Sequence, residues 1–269
     1  MSTSDALPPL FDTHCHLDFA AFDHDRGRVL ERARAAGVRG AVIPGVSPDQ
    51  WLGLSEIADP AAGLYAAVGL HPQALPDLSP EALSAGLAQL PARAEALGAV
   101  AVGECGFDRE TARRGVPFEE QARVLDAQLG VAEELDLPVI LHVLGAHGAA
   151  LAHLERRGPL PAGGVLHSYS GPAELVPRYL RLGLFVSFAG AVTRPGARRP
   201  AQAVRAVPQE RLLLETDAPD QTPYGATSGR NEPAELTRIL AAVAVARGEA
   251  VEAVARYTTQ NARALYRLG

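Results

Sequence analysis

Lysine is missing from this chain of 269 residues, in which all 25 basic side chains are arginine. Cysteine occurs only twice, at Cys15 and Cys105, whereas a secreted protein held together by disulfides would need many more at this length. No apolar run is long enough to cross a bilayer, and the amino terminus carries no charged-then-apolar signal. We therefore expect a soluble protein of the reducing cytoplasm, without membrane association.

Net positive charge is also lacking, since the formal net charge is −6. Proteins that hold nucleic acid on a broad basic surface use many arginine or lysine contacts to phosphates, so this charge argues against a stable nucleic-acid complex. It does not exclude an enzyme that acts on nucleic acid. Divalent ions in a pocket can supply positive charge at the one place where a phosphate must bind.

The chain does contain a repeated alternation of short apolar runs with Ala-rich or amphipathic stretches. Between two of these runs, Phe118, Ala122, Leu125, Leu129 and Ala132 recur at spacings of three and four, which is typical of one face of a helix. Eight runs resemble strands at intervals of roughly 30 residues, the length of a strand–helix unit. They cover residues 10–14, 40–44, 65–70, 99–104, 138–142, 164–167, 184–188 and 211–215.

Apolar strands joined by helices predict a parallel sheet, and eight of them favour a closed (β/α)8 barrel. An open doubly wound sheet is the alternative, but its nucleotide-binding form would favour Gly-x-Gly-x-x-Gly after the first strand, and that motif is absent. A chain of this length could form two domains, although barrels of this kind commonly reach it as one. We expect one TIM-type barrel domain over residues 1–269.

Side chains that bind metals well fall at the ends of the predicted strands, where the active sites of such barrels lie. His14 and His16 are two residues apart, so in an extended strand both imidazoles face the same way and can reach one ion. One histidine or carboxylate alone could belong to the core or cap a helix, but burying several together without a metal would be costly. The predicted metal site at this rim comprises His14, His16, Glu104, His142, His167 and Asp217.

Six segments resemble the motifs of the TatD family of metal-dependent hydrolases, in the same order and over nearly the whole chain. They are DTHCHLD (12–18), GLHP (69–72), GECGFD (103–108), LPVILH (137–142), VLHSYSG (165–171) and LLLETDAP (212–219). Residues 217–220 and 230–233 lean toward the YjjV-like branch of the family. The resemblance implies a TIM-type barrel of the amidohydrolase superfamily and a hydrolase, most often a deoxyribonuclease that here would act on DNA ends or single strands.

The resemblance also implies two divalent ions. His14, His16 and Asp217 would hold one ion, the two later histidines would hold the second, and Glu104 would bridge them. Related amidohydrolases often bridge with a carbamylated lysine, which this chain cannot supply. Catalysis would use a metal-activated water, with Asp217 as the general base and Glu104 as the bridge. Four imidazoles favour zinc, manganese, nickel or cobalt, while the resemblance also includes magnesium.

Substrate contacts are the remaining sequence-based expectation. His71 could contact a phosphate or orient a ligand, Asn231 could cap a helix or contact substrate, and Arg230 could bind a phosphate or be solvated. Where the family commonly carries a polar or arginine-containing stretch after His142, this chain has Val-Leu-Gly at 143–145. Hydrolysis of an amide, ester or lactone therefore remains an alternative, as does a non-catalytic metal-binding barrel.

Overall fold

Eight parallel strands form the frame of the computed structural model, which describes residues 7–226 and 229–269. Their bounds are β1 Leu10–Asp12, β2 Val38–Gly45, β3 Leu64–Val68, β4 Ala101–Asp108, β5 Val139–Leu144, β6 Gly164–Leu166, β7 Leu184–Phe188 and β8 Leu212–Leu214. The strands lie side by side in chain order, and every neighbouring pair is parallel. All eight predicted strands are present.

The sheet curves until its first and last strands meet. Just after β1, the Thr13 N–H donates to the carbonyl of Leu214 at 3.1 Å, and the Asp217 N–H donates to the carbonyl of His14 at 2.9 Å. An open doubly wound sheet would keep these two strands apart. The structure is therefore the TIM-type (β/α)8 barrel that the sequence predicts.

Helices follow the strands and cover the outside of the barrel. They are α1 Arg26–Ala35, α2 Pro48–Ile57, α3 Pro80–Leu97, α4 Arg109–Arg113, α5 Phe118–Glu134, α6 His147–Arg157, α7 Val176–Arg181, α8 Arg198–Ala206, α9 Leu236–Arg247 and α10 Val251–Leu265. In the part of the chain that the structure describes, no helix is both long and apolar enough to span a membrane.

The helix α5 shows how sequence pattern becomes structure here. Leu125, Leu129 and Ala132 are buried, and the residues one and two turns before them pack at the edge of the same core. Glu119 and Glu120 lie in the first turn, where negative charge favours the helix dipole. This buried face packs against β4, so α5 supports the strand that carries Glu104.

The hydrophobic core has two layers. One lies between the strands and the surrounding helices. The second takes alternate residues from the strands, among them Val42, Ile140 and Leu213, and includes Leu265 and Tyr266 at the end of α10. Filling the barrel in this way makes it a packed scaffold rather than a pore, so its functional chemistry is confined to the rim.

Seven of the eight strands end at residues other than those predicted, whereas β7 ends at Phe188 as predicted. β5 continues past His142 to Leu144, so the expectation that His142 ends the fifth strand is wrong. β1 stops at Asp12, so the two histidines lie just beyond it, and β4 continues to Asp108. The expectation that Glu104 ends the fourth strand is therefore wrong. The register between β4 and β5 shifts near Gly103, where a Cβ would lie 2.5 Å from the Ile140 carbonyl oxygen. Glycine here permits close strand approach and continued pairing instead of ending the strand.

Candidate metal centre

The six predicted ligands meet at the carboxyl-terminal end of the barrel, and His71 joins them. All seven side chains are buried except that of His142, which is slightly more exposed. They come from the chain after β1 (His14, His16), after β3 (His71), within β4 (Glu104), within β5 (His142), after β6 (His167) and after β8 (Asp217).

One group of ligand atoms surrounds the Oε2 atom of Glu104. This oxygen lies 3.1 Å from His14 Nε2 and 3.6 Å from His16 Nε2, and the two imidazole nitrogens are 3.2 Å apart. The Oδ1 atom of Asp217 lies 3.6 and 3.7 Å from the same two nitrogens. The spacing lets His14, His16 and Glu104 hold a metal ion, and Asp217 lies beside them.

A second group surrounds the other oxygen of Glu104. Its Oε1 atom lies 2.9 Å from His71 Nε2, 2.8 Å from His142 Nδ1 and 2.7 Å from His167 Nε2. Glu104 thus has one oxygen in each group. This is the arrangement that a carboxylate bridging two cations requires.

The hydrogen bonds of the imidazoles indicate which nitrogens are free to bind metal. In His16, His142 and His167 the nitrogen remote from the centre faces an acceptor: the Pro44 carbonyl at 3.3 Å, a carboxylate at 3.1 Å and a carboxylate at 3.2 Å. A proton on each remote nitrogen leaves the inner nitrogen with its lone pair exposed to the centre. These three side chains fit a metal site.

His71 has the opposite arrangement. Its Nδ1 accepts a hydrogen bond from the Gln73 backbone N–H at 3.0 Å, so in the neutral ring the proton is on Nε2. That nitrogen faces Glu104, to which it donates. Burial lowers the pKa of His71, which favours the neutral ring. The geometry therefore fits a hydrogen-bond donor that orients Glu104 better than it fits a further metal ligand.

Charges in the centre are strongly coupled. Burial alone would raise the pKa of Glu104, but the nearby histidines, above all His167, hold it well below its ordinary value. Burial likewise opposes charge on His167, yet Glu104 and Glu215 raise its pKa well above the usual range. Burial lowers the pKa of His16 to about 3. In the metal-free centre, a proton on His167 thus offsets the charge of Glu104 and Glu215. A bound metal cation would offset the same two carboxylates.

Two carboxylates that the sequence analysis missed hold the ligand imidazoles. Asp108 Oδ2 accepts from His142 Nε2, and Glu215 Oε1 accepts from His167 Nδ1 and from the Ser168 backbone N–H. Such carboxylate partners fix the tautomer and orientation of a ligand histidine. Both residues lie within the family-like segments 103–108 and 212–219, so a search for partners of the remote nitrogens could have found them.

The loop after β8 places Asp217 through buried polar contacts. Asp12 accepts from the backbone N–H and the hydroxyl of Thr216 at 2.9 and 2.5 Å. Asn231 is fully buried, and its Nδ2 donates to the carbonyls of Thr216 and Asp220 at 2.7 and 2.5 Å. The structure therefore places Asn231 behind the loop, where it fastens the backbone on both sides of Asp217, and its contact with substrate stays a prediction.

Arg230 lies on a different part of the surface from the ligand atoms. Its guanidinium donates to Asp25 at 2.5 Å and to the carbonyl of Ala21, and it lies 4.7 Å from the ring centroid of Phe22. These contacts join the loop after β8 to the chain before α1. A phosphate contact of Arg230 is not supported by this placement and remains a prediction.

The chain matches a known protein family over nearly all of its length. The sequence model of the family described as TatD related DNase matches residues 11–267. "Uncharacterized metal-dependent hydrolase YjjV" of Escherichia coli strain K12 is 35% identical over 258 residues, which cover 95% of this chain and 96% of that protein. The chain belongs to the TatD family. "3'-5' ssDNA/RNA exonuclease TatD" of Pantoea vagans strain C9-1 is 38% identical over 266 residues, covering 96% and 100%.

Solved structures agree with this assignment to the TatD family. The crystal structure of YjjV from Escherichia coli K12 superposes with a TM-score of 0.86 at 35% identity, over 97% of this chain and 98% of that one. The family resemblance inferred from the sequence motifs is thus confirmed, and so is the metal-dependent hydrolase class.

A cavity of about 540 Å³ lies in front of the TatD-family centre and is open to solvent. His16, His71, Glu104, His142, His167 and Asp217 line its floor. Val143 and Leu144 line its wall, and the Leu144 side chain is 47% exposed. Val143 and Leu144 of the Val-Leu-Gly segment therefore face the space in front of the centre.

Proposed function

We propose that this chain is a metal-dependent phosphodiesterase that removes nucleotides from the ends of single-stranded nucleic acid, with DNA as the principal substrate. The observation that carries the proposal is the position of Glu104, whose two oxygens face two separate groups of ligand atoms. The relatives named as ssDNA/RNA exonucleases support the substrate class. The confined cavity favours a strand end over the middle of a duplex.

We assign two divalent ions to the centre. His14, His16 and Asp217 would hold the first ion. His142 and His167 would hold the second, and Glu104 would contact both. The imidazole-rich donor set suits zinc, manganese, nickel or cobalt, and magnesium is a further possibility because availability also decides occupancy. When bound, such ions lower the pKa of water toward neutrality and offset the charge that builds up on a phosphoryl group.

The side chains of this chain supply positioning and proton transfer. Asp217 lines the cavity, and burial raises its pKa, which makes its carboxylate a better proton acceptor than an exposed aspartate. We assign it the role of general base. His71 donates to Glu104 and keeps the bridging carboxylate oriented. Asp108 and Glu215 hold two imidazoles with their inner nitrogens toward the cavity.

One observation favours a second reaction. No arginine lines the described part of the cavity, so the protein itself offers little charge to a phosphate there. The same centre could hydrolyse an amide, an ester or a lactone, whose carbonyl carries no net charge. A purely structural metal site is less well supported, because the ligand atoms open into a cavity of substrate size.

The test is nucleotide release from end-labelled single-stranded DNA, on protein whose metal content has been measured by elemental analysis. We expect release with bound metal, loss with a chelator and recovery on adding back one of the five metals. Closed circular duplex should resist cutting. Metal-replete protein that is inert toward every phosphodiester but active on carbonyl esters would overturn the proposal in favour of the alternative.

We also propose that the protein acts in the cytoplasm and meets DNA as a transient substrate. Cys15 and Cys105 are both buried and unpaired, as expected for a protein that needs no disulfide. The net charge of −6 suits rapid release of a polyanion better than lasting attachment to it.

A further inference from the structure

The cavity in front of the metal centre is poor in positive charge. Among the residues that the structure describes, its lining includes Glu104, Asp217 and Asp220 but neither arginine nor, in this lysine-free chain, any other permanent cation. A phosphate inside the cavity would meet positive charge only at the metal ions. Charge recognition is thus limited to the one phosphodiester that touches them.

Part of the cavity lining is apolar, and we refer to its residues Val143, Leu144 and Val192 as the apolar wall. Among them, Leu144 is 47% exposed to solvent. Phe19 also lines the cavity, with its ring stacked on His16 at a centroid distance of 4.4 Å and an interplanar angle of 20°. Apolar and aromatic walls of this kind bind neutral planar groups such as nucleobases, whereas a second phosphate would lose its hydration there without gaining a counter-charge.

Arginines near the opening do not extend this lining. Arg114 donates to the Gln73 carbonyl and to Asp77, which engages its charge. Arg109, beside Gly145, and Arg199 are exposed and lie outside the cavity lining.

The size of the cavity also limits how much of a strand it can enclose. A volume of about 540 Å³ lies within the range of roughly 300–1,000 Å³ that is usual for pockets that enclose a small molecule. The structure therefore resembles a pocket for one end group more than a groove that follows a strand.

We infer that the cavity recognises one terminal nucleotide unit, through the scissile phosphodiester at the metals and a base against the apolar wall, and that it favours short diesters of dinucleotide size. This inference rests on the proposed phosphodiesterase function and adds its substrate class. Longer strands gain nothing from their extra phosphates, so the enzyme suits the last steps of nucleic-acid breakdown, after other nucleases have produced short fragments.

The test compares kcat/KM of the metal-loaded enzyme for a thymidine dinucleotide, a tetramer and a dodecamer, at several salt concentrations. We expect the three values to agree within about threefold and the logarithmic salt slope to be shallower than about −1, because each phosphate contact to a single strand contributes roughly −0.7. A rise of tenfold or more with length, together with a slope of about −2 or steeper, would overturn the inference while leaving the phosphodiesterase proposal intact. Inertness toward all three would instead refute the phosphodiesterase itself.

A matched pair of variants tests the wall directly. Leu144→Arg places one cation at the opening, so the dodecamer should gain at least about threefold over the dinucleotide and its salt slope should steepen by about 0.7. Leu52→Arg adds the same charge at a side chain on α2 that is 59% exposed and outside the lining, and should leave the ratio unchanged. If the ratio of kcat/KM for the dodecamer to that for the dinucleotide were equal in the two variants, the substrate would not pass Leu144.

Discussion

Asp217 differs from the other candidate ligands because it combines three properties. It lies beside His14 and His16, it lines the cavity, and burial raises the pKa of its carboxyl group. A side chain needed only for metal binding would not have to face the substrate space. Because Asp217 combines this position with a raised proton affinity, its replacement should impair turnover much more than folding.

We expect Asp217→Asn to reduce kcat at least 100-fold, because general-base catalysis typically contributes about 10² to 10⁴ and the amide cannot accept the proton. The melting temperature should change by only a few degrees, since Asn is nearly isosteric. Asp49→Asn, on the exposed face of α2, provides the control for loss of a carboxylate. Turnover within threefold of wild type in Asp217→Asn would rule out the role.

Gln221 holds Asp217, the proposed general base, by a hydrogen bond. Its Nε2 donates to Asp217 Oδ2 at 2.6 Å and to the hydroxyl of Ser168, which leaves Asp217 Oδ1 toward the histidines. A hydrogen bond to a charged group contributes about 1.5–3 kcal/mol when its partner stays buried. Gln221 is thus a positioning residue that no metal-ligand pattern identifies.

In Gln221→Ala, kcat should fall roughly tenfold with a smaller change in KM, because about 1.4 kcal/mol of lost orientation corresponds to one order of magnitude. Steady-state kinetics on one short diester, with metal content measured in parallel, would separate the two parameters. Gln202→Ala, on the exposed side of α8, is the matched control and should behave as wild type. Indistinguishable kinetics of the two variants would contradict the assignment.

The clustering of the six candidate ligands was predictable from the sequence, because they follow or end apolar runs and their order follows the family motifs. The supporting residues were not, since Asp108, Glu215 and Gln221 have ordinary chemistry that acquires a role only through a three-dimensional contact. His71 lies between these cases. Its position near the centre was expected, but its donor role follows from the Gln73 backbone N–H, which the sequence does not reveal.

At the scale of elements, the eight strands were predictable from their apolar runs, whereas most of their ends were not, and the end of β4 differs most from the prediction. Gly103 and Gly106 resemble a turn signal in the sequence. In the barrel they allow β4 to approach β5, and the strand continues past Glu104 to Asp108. This continuation of β4 matters for the site, because it brings Asp108 within hydrogen-bond distance of His142.

Two asparagines fasten opposite ends of β8 in the same way. Asn231 Nδ2 donates to two carbonyls in the loop that follows the strand, and Asn261 Nδ2 donates to the carbonyls of Gln209 and Leu212 before and at its start. Only the first of these attachments lies next to Asp217. Comparing variants of the two asparagines therefore separates a contribution to stability from a contribution to the site.

Removing either amide leaves carbonyls without a donor, and each such loss costs about 1–3 kcal/mol where the group is buried. We expect Asn231→Ala and Asn261→Ala both to lower the melting temperature. Only Asn231→Ala should also lower metal affinity and kcat, by about tenfold, because it releases the loop that carries Asp217. Thermal denaturation, metal titration and kinetics on both variants provide the comparison. Equal kinetic effects would show that the loop attachment is purely structural.

For the whole molecule, the decisive quantity is charge. The chain has a net charge of −6, and four of its carboxylates, those of Glu104, Asp217, Glu215 and Asp108, lie buried around the histidines of the centre. Without metal, a proton on His167 offsets part of this charge. Metal binding should therefore stabilise the entire barrel as well as activate it, because the strands that carry the ligands lie all around the rim.

A ligand at 100 times its dissociation constant stabilises the folded state by about 2.7 kcal/mol, which corresponds to several degrees in melting temperature for a domain of this size. We expect such a rise on loading the metal-free protein, measured by differential scanning calorimetry. The pKa of His167 is raised, so protons compete with metal, and the rise should be larger at pH 8 than at pH 6. In Glu104→Gln the bridging charge is lost and less than half of the rise should remain, whereas Glu119→Gln, exposed on α5, should retain it. An equal rise in both variants would mean that the metal binds without Glu104, and the bridge between the two groups of ligands would then be wrong.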